Sequence, residues 1–413
     1  MRLFREDLSW SLPEELNKGA ILESIERVLG DMEAPNTSLE DWRYGRVDEL
    51  DLSKYKVVNP HIRSSNGYVS EWISRWHELG SDAFGVEIVV EDFESVCQGV
   101  ASDTVLTANE NDASSAEAVL DQQEPFHYLS KLLSTKKTSI VVGDSSENSS
   151  VFLGLLAPDV DGAVFARDLH IKVPNYTKGV LALVREGGSR DSLFLDSISV
   201  EVGRDAELSV VVLQNLSDGA WDLSYYDSQI DQGGTLKSLT VSLGGDYSRL
   251  RSVSSLHGRG AQAYLKAGYV AGGTQTMEFR TFQRHLAPAT HSDLLYKGAV
   301  AGSSHSIYSG LIAIEKGARG SNAFQTNRNI VLSESARADS VPNLDIQESD
   351  VRCSHASAVG PVDADQRFYL ETKGITTEVA EKMIVSGFFR DLTESVQGLD
   401  LSSLVLESLE RKW

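Results

Sequence analysis

Asn343-Leu344-Asp345-Ile346-Gln347-Glu348-Ser349-Asp350-Val351-Arg352-Cys353-Ser354-His355 is the stretch on which the reading of the fold turns. Leu344 and Ile346 open one extended segment, and Asp350 to His355 forms another after a polar break. Strand side chains alternate between faces, so Cys353 and His355 project the same way. A soft sulfur beside an imidazole is a ligand pair for iron, zinc or copper. Two ligands do not complete a metal site, so further donors must come from elsewhere.

Beyond Gly360-Pro361 the apolar period changes from two to that of a helix. Asp363 can cap a helix whose third residue on is Gln366, Phe368-Tyr369-Leu370 supply its bulk, and Gly374 fits a left-handed stop. A second helix, capped at Thr376 or Thr377, carries Ala380, Met383, Ile384, Phe388 and Leu392 at three- and four-residue spacing. This helical region covers residues 362–413. Its apolar stripe is too large for a small appendage unless something packs on it.

Upstream, from about Ser139 to Gly360, short apolar runs alternate with small-residue turns. Ile140-Val141-Val142, Gly179 to Val184 and Leu208 to Leu213 are the clearest runs. Arg204-Asp205-Ala206, Gly233-Gly234-Thr235, Gly260-Ala261, Gly317-Ala318 and Ser335-Ala336 are turns of one flavour, each preceding another alternating run. A β-sandwich and a β-solenoid both fit, and the recurrent turn leans toward the solenoid. The β core is placed at residues 136–361.

Residues 1–135 read as a helical region with a short strand. Leu16, Ala20, Ile21, Ile25, Val28 and Leu29 follow Pro13 as an amphipathic stripe, and a second helix is expected from Gly67 to Leu79. Its aromatic residues Tyr68, Trp72 and Trp76 fall at helical spacing and read as core. Val86 to Val90 suggests a strand, Ser102 to Glu117 a polar linker, and Phe126 to Leu133 one more helix.

The chain has 413 residues, 38 Lys and Arg against 60 Asp and Glu, and a formal charge of −22. Such an acidic surface repels phosphate backbones, which argues against a nucleic-acid partner. No apolar run reaches membrane-spanning length, the start lacks a signal-peptide core, and two cysteines, Cys97 and Cys353, make no disulfide framework. The expected setting is cytoplasmic, with Cys97 a buried structural thiol.

Several other side chains invite functional readings. Gln325, Asn327 and Asn329 share one strand face and are expected to form hydrogen-bonding ladders between coils. Alternation scatters His285, His291 and His305, so they read as satisfied histidines and not as a metal cluster. Gly244-Gly245 lacks the Lys-Ser/Thr of a phosphate loop and reads as a turn. Asp339, Asp345 and Asp350 could serve a β-helical carbohydrate-active enzyme, but a solvated acidic face is the simpler reading. No nucleophile elbow, His-Glu-x-x-His, dinucleotide fingerprint or CxxC pair is present, so the chain reads as a non-catalytic subunit.

One set of residues carries a resemblance. Gln325-Thr326-Asn327-Arg328-Asn329, Leu332-Ser333, Pro342-x-Leu344-x-Ile346, Asp350-Val351-x-Cys353-Ser354-His355, Phe368-Tyr369-Leu370 and Gly374-Ile375 occur in the order and spacing of the SufB/SufD family. These are scaffold proteins of the Suf iron–sulfur cluster assembly system. The match runs from about Thr281 to Phe389, with an echo at Trp42-Arg43-Tyr44, and Cys-Ser-His is similar to the SufD branch. Ala356-Ser357 replace the family's usual Gly-Ala after the histidine.

The resemblance implies a right-handed parallel β-helix flanked by helical regions. It also implies a SufB-like paralogue whose β-helix pairs with this one, and a SufC-like ABC-type ATPase docked on the C-terminal helices. Phe368, Tyr369, Met383, Ile384 and Phe388 are then the partner-binding side chains. A transient iron–sulfur cluster would be shared with the paralogue, with His355 and then Cys353 as its ligands from this chain. A homodimeric scaffold with the ATPase alone is the alternative within the family.

Overall fold

Each apolar run between residues 137 and 361 becomes one strand, and every turn between runs sends the chain to the opposite face of a flattened coil. The computed structural model describes residues 35, 37–39, 42–57, 86–90, 106–109, 124–134, 137–143, 149–157 and 159–393. The expected helices near residues 13–29 and 67–79, Cys97, and the chain beyond residue 393 lie outside them.

The first strands are β1 (Lys56–Val57), β2 (Val86–Val90), β3 (Leu106–Asn109), β4 (Lys137–Val141) and β5 (Ser149–Ala157). Next come β6 (Ala163–Val173), β7 (Lys178–Gly187), β8 (Leu193–Val202), β9 (Glu207–Leu216), β10 (Trp221–Ile230) and β11 (Thr235–Ser242). They continue as β12 (Tyr247–Leu256), β13 (Gln262–Ala271), β14 (Thr276–His285) and β15 (His291–Val300). The last are β16 (His305–Ile314), β17 (Asn322–Val331), β18 (Arg337–Ile346) and β19 (Arg352–Pro361). Three helices accompany them: α1 (Pro125–Leu133), α2 (Ala364–Thr372) and α3 (Thr377–Thr393).

Even-numbered strands from β4 to β18 stack in one sheet and odd-numbered strands from β5 to β19 in the other, and from β6 onward each pairs in parallel with the strand two before it. This is a parallel β-solenoid of about seven turns, as expected. β3 pairs antiparallel with β4 at its N-terminal end. The linker expected over Ser102 to Glu117 therefore contains a strand at Leu106–Asn109. Polar composition hid it, because edge pairing uses backbone groups and asks little of side chains.

The turns explain why no crisp repeat exists. Along one ridge Tyr176, Asp205, Gly233, Gly260, Ala289 and Gly320 all have positive φ, at intervals of 27 to 31 residues. Each donates its amide to a carbonyl of the next turn, such as Gly233 to Arg259 at 3.0 Å and Gly260 to Pro288 at 3.2 Å. The left-handed conformation recurs while the residue type drifts, since a hydrogen-bonded stack holds even Tyr and Ala there.

Inside the coils, one continuous core runs from Ile140 and Leu153 through Leu183, Val212 and Leu265 to Phe279 and Tyr308. The outer faces are covered as well. Trp42, Val47, Leu52 and α1 pack on the even sheet with Leu195, Trp221 and Tyr247. On the odd sheet, Val385, Phe389 and Leu392 of α3 pack on Val211, Leu239, Val241 and Val270. Each such buried aliphatic or aromatic side chain contributes about 1.5–3 kcal/mol.

Candidate functional site

The site lies where stacking stops. β18 and β19 are the last strands of their sheets, and nothing among the described residues pairs with their outer edges. Pro342 within β18 fits such an edge, since it has no N–H to give. Leu344, Ile346 and Val359 are 39%, 42% and 45% exposed there, although the equivalent residues one coil earlier, Ile312, Ile314 and Asn329, are buried. The last coil is thus an apolar rim with no lid among the described residues.

The parallel register brings Cys353 over Ala323 and His355 over Gln325. Ala323 and Gln325 both face the solenoid interior, so Cys353 and His355 share one face, as the strand alternation predicts. Their surroundings differ. Cys353 is half-buried against Ile312, Ile314, Ala318 and Ala323, and this burial pushes its thiol up from the ordinary range. A thiol held protonated is a poor metal ligand until a metal or base displaces the proton. His355 is exposed at the mouth, with its imidazole open to a second molecule. Among the described residues, no three of His, Cys, Asp and Glu come together in metal-binding arrangement.

Beneath the mouth the ladder reading divides. Tyr269 donates its hydroxyl to Asn329 at 2.6 Å, Asn329 donates to Asn327 at 2.8 Å, and Asn327 donates to Tyr269 at 3.3 Å. Those two asparagines tie coils together as expected. Gln325 does not: neither of its amide atoms has a partner.

The three histidines are scattered. His285 is fully buried, 2.7 Å from Thr290 Oγ1 and 2.8 Å from Ser292 Oγ, and burial lowers it to about 4. His291 lies on the outer face beside Tyr264 and Phe324, and His305 pairs with Asp339 at 2.7 Å. The aspartates are equally separate. Asp339 also pairs with Arg337 at 2.8 Å, and exposed Asp350 sits 3.5 Å from Arg319. Gly244-Gly245 is a turn, with Gly245 at φ 87.

A second surface lies on the C-terminal helices. Asp363 caps α2 by accepting from the amides of Asp365 and Gln366 at 2.9 and 3.1 Å, and Gly374 has φ 84, both as expected. Phe368, Tyr369, Val379 and Met383 are 66%, 60%, 47% and 49% exposed. Ile384 is half-buried, and Phe388 packs toward the solenoid. The buried face of α3 is Ala380, Val385, Phe389 and Leu392. That face is offset from the expected stripe because α3 has two adjacent apolar faces, and only one rests on the sheet.

Sequence reasoning missed the charges inside the solenoid. Arg185, Asp196 and Asp222 point into the lumen, with Arg185 Nη2 2.7 Å from both carboxylates. They continue the inward set of Leu181 and Leu183 on β7 and of Phe194 on β8, a set that only the fold identifies because the other face is apolar too.

Comparison with known proteins gives a consistent result. Residues 160–388 match the family model described as "SUF system FeS cluster assembly, SufBD core domain". The chain is 32% identical over 260 residues to an iron-sulfur cluster assembly SufBD family protein of Mycobacterium tuberculosis, covering 61% of this chain and 65% of that protein. A SufBD family protein of Mycobacterium leprae is 31% identical over 284 residues, covering 67% of this chain and 71% of the relative. The iron-sulfur cluster assembly protein SufD of Bacillus subtilis is 32% identical over 227 residues, covering 54% and 51%. The matched stretch thus spans 65% of the first relative's length and about half of the last one's.

Proposed function

Because the chain belongs to the SufBD family of iron–sulfur cluster assembly proteins, we propose that it is the SufD-like scaffold subunit of a complex with a SufB-like paralogue and a SufC-like ATPase. The observation that carries this reading is the last coil, which among the described residues has no lid: two strands with free edges, an apolar rim and an exposed imidazole in one place. Free strand edges pair with a second chain through backbone hydrogen bonds, and the rim of Leu344, Ile346 and Val359 then leaves water. Pairing there would bring donors of the second chain next to His355.

The cluster is cargo in this reading. A neutral imidazole ligates iron through one nitrogen while the other is held by an acceptor. His355 suits that task because it is open to the partner. Cys353 follows when metal lowers its thiol. One chain offers too few ligands for a lasting cluster, which suits a protein that hands the cluster on.

The second surface would take the ATPase. Phe368, Tyr369 and Met383 face away from the solenoid, while the other side of α3 is seated on it. Nucleotide-driven closure of two ATPase subunits would load this helix pair and thereby strain the seam at the last coil.

The test is a pull-down through a tag on this chain, with partners identified by mass, followed by iron and sulfide analysis of the complex. A heterocomplex with a paralogue and ATPase is expected. Recovery of a homodimer with the ATPase alone would replace the paralogue with a second copy. His355→Ala is expected to lower iron and sulfide content without reducing ATPase recovery, and unchanged content would remove His355 from the assignment.

A further inference from the structure

Near its open end the interior of the solenoid carries several amides, and one of them holds nothing. Gln325 is 1% exposed, yet neither its amide nitrogen nor its amide oxygen has a hydrogen-bond partner. The neighbouring amide nitrogens are all engaged, and only Gln283 Oε1 shares with Gln325 the lack of a partner. Asn327 and Asn329 bind each other and Tyr269, and Gln283 donates to Ser292 Oγ at 2.7 Å and to the Phe324 carbonyl at 3.1 Å. A buried polar atom without a partner destabilises the fold by about 1–3 kcal/mol, and such orphans in native proteins call for an explanation.

Room for this amide is made on the opposite sheet. A Cβ at Gly310 would meet the Tyr308 hydroxyl and would lie 2.5 Å from Gln325 Nε2 and 2.6 Å from its Cδ, so the space is shared by the two side chains. The lumen omits a side chain at residue 310 and seats there an amide that binds no protein group. Directly above Gln325 in the register is His355. Ser340, facing the same end of the lumen from the other sheet, also has a buried hydroxyl without a partner. That wall therefore has unused hydrogen-bonding capacity immediately beneath the mouth.

We propose that Gln325 is the positioning residue for His355, its amide taking the inward nitrogen of the imidazole directly or through one water. This rests on the reading of His355 as a ligand given above. An imidazole binds metal through the nitrogen that carries no proton, and the hydrogen bond made by the other nitrogen decides which one that is. A glutamine carbonyl accepts the ring N–H and leaves the outward nitrogen basic and aimed at the partner. One shared water would engage both orphan amide atoms at once. Cys353 cannot serve in this way, since it packs on Ile312, Ile314 and Ala323.

The test uses Gln325→Leu, which keeps the bulk and removes both polar atoms, so the fold is retained or made more stable. Nitrogen-15 NMR of the full chain with labelled histidine reports the tautomer of His355, its signals identified by their loss in His355→Asn. One dominant tautomer is expected in the unsubstituted chain and a mixture in Gln325→Leu. Gln325→Glu, which keeps an acceptor oxygen, restores the single form. In the tagged complex, Gln325→Leu is expected to reduce bound iron and sulfide about tenfold. An identical His355 tautomer in both chains overturns the proposal. A changed tautomer with full iron and sulfide upholds the contact and instead overturns the assignment of His355 as a ligand.

Discussion

Lys297 Nζ lies 2.6 Å from Asp391 Oδ1 and 2.7 Å from Oδ2, joining the outer face of β15 to the last turn of α3. The same ammonium donates to the Phe388 carbonyl at 2.7 Å and sits 4.7 Å from the Phe388 ring centroid. One ammonium thus holds a carboxylate, a carbonyl and a ring face of the helix against the sheet. Lys297 is 6% exposed and Asp391 51%, so the lysine is the costly partner to bury and the aspartate is replaceable by water. Phe389 and Leu392 complete the attachment, and Gly268 leaves room for them, since a Cβ there would lie 3.0 Å from Leu392 Cδ1.

Lys297→Met is expected to loosen α3 without unfolding the solenoid. Loss of a charged hydrogen-bond set is worth about 1.5–3 kcal/mol, partly returned because Asp391 is half in water. Hydrogen exchange of the Val385 to Leu392 amides should accelerate about tenfold, while amides of β11 and β13 keep their rates. Equal acceleration in both places would mean that the lysine supports the whole fold and not the attachment.

The charges inside the lumen make a different case. Burial alone would push the Arg185 guanidinium down, but Asp196 and Asp222 hold it well above its ordinary value. It donates Nε to Asp196 at 2.7 Å and Nη1 to Asp222 at 3.0 Å. Arg185→Met leaves two carboxylates without their shared cation. The expected loss is about 3–5 kcal/mol in a denaturant titration, and adding Asp222→Asn, which leaves Asp196 to the buried Arg167 3.6 Å away, should recover most of it. No recovery in the double variant would show that packing around Arg185, and not charge, is what matters.

These charges also mark the limit of what the sequence discloses. The repeated turns, the Asp363 cap and Gly374 are local signals, and each predicts its own geometry. Which side of a strand faces inward is not local here. Leu208, Val210 and Val212 face the lumen while Val211 and Leu213 lie under α3, so both faces are apolar and alternation vanishes. Charged residues in such strands read as solvent-facing, yet Arg185 and Asp196 are each 1% exposed. Cys353 and His355 were legible as a pair because period two needs no tertiary knowledge. The orphan amide of Gln325 was not, since its neighbours Asn327 and Asn329 on the same strand do form the ladder.

His285 supplies a pH dependence. Its folded value is lowered to about 4 from an ordinary 6.5 by burial, so the unfolded chain binds the proton first. Stability from this group is complete above pH 6.5 and is lost progressively as pH falls toward 4. At pH 5 the loss is on the order of 1–3 kcal/mol, from about 1.4 kcal/mol per pH unit of linkage. His285→Gln should flatten the fall in unfolding midpoint between pH 7 and 5 relative to the unsubstituted chain. Parallel curves for the two proteins would assign the acid sensitivity to other groups.

The open rim yields the sharpest prediction about assembly. Val359 is 45% exposed at the end of the inward lane that runs through Tyr269, Gly298 and Asn329. In the free chain a lysine there reaches water through its flexible stem, so Val359→Lys should change stability by less than about 0.5 kcal/mol. In a strand-paired complex the same ammonium would be trapped in a dry seam, where an unpaired charge costs several kcal/mol. Capture of the paralogue through a tag on this chain should therefore fall by more than tenfold, while capture of the ATPase, which would engage Phe368 and Tyr369 on the separate helical surface, stays unchanged. Undiminished paralogue capture by Val359→Lys would move the seam away from the last coil, and with it the reason for assigning cargo to His355.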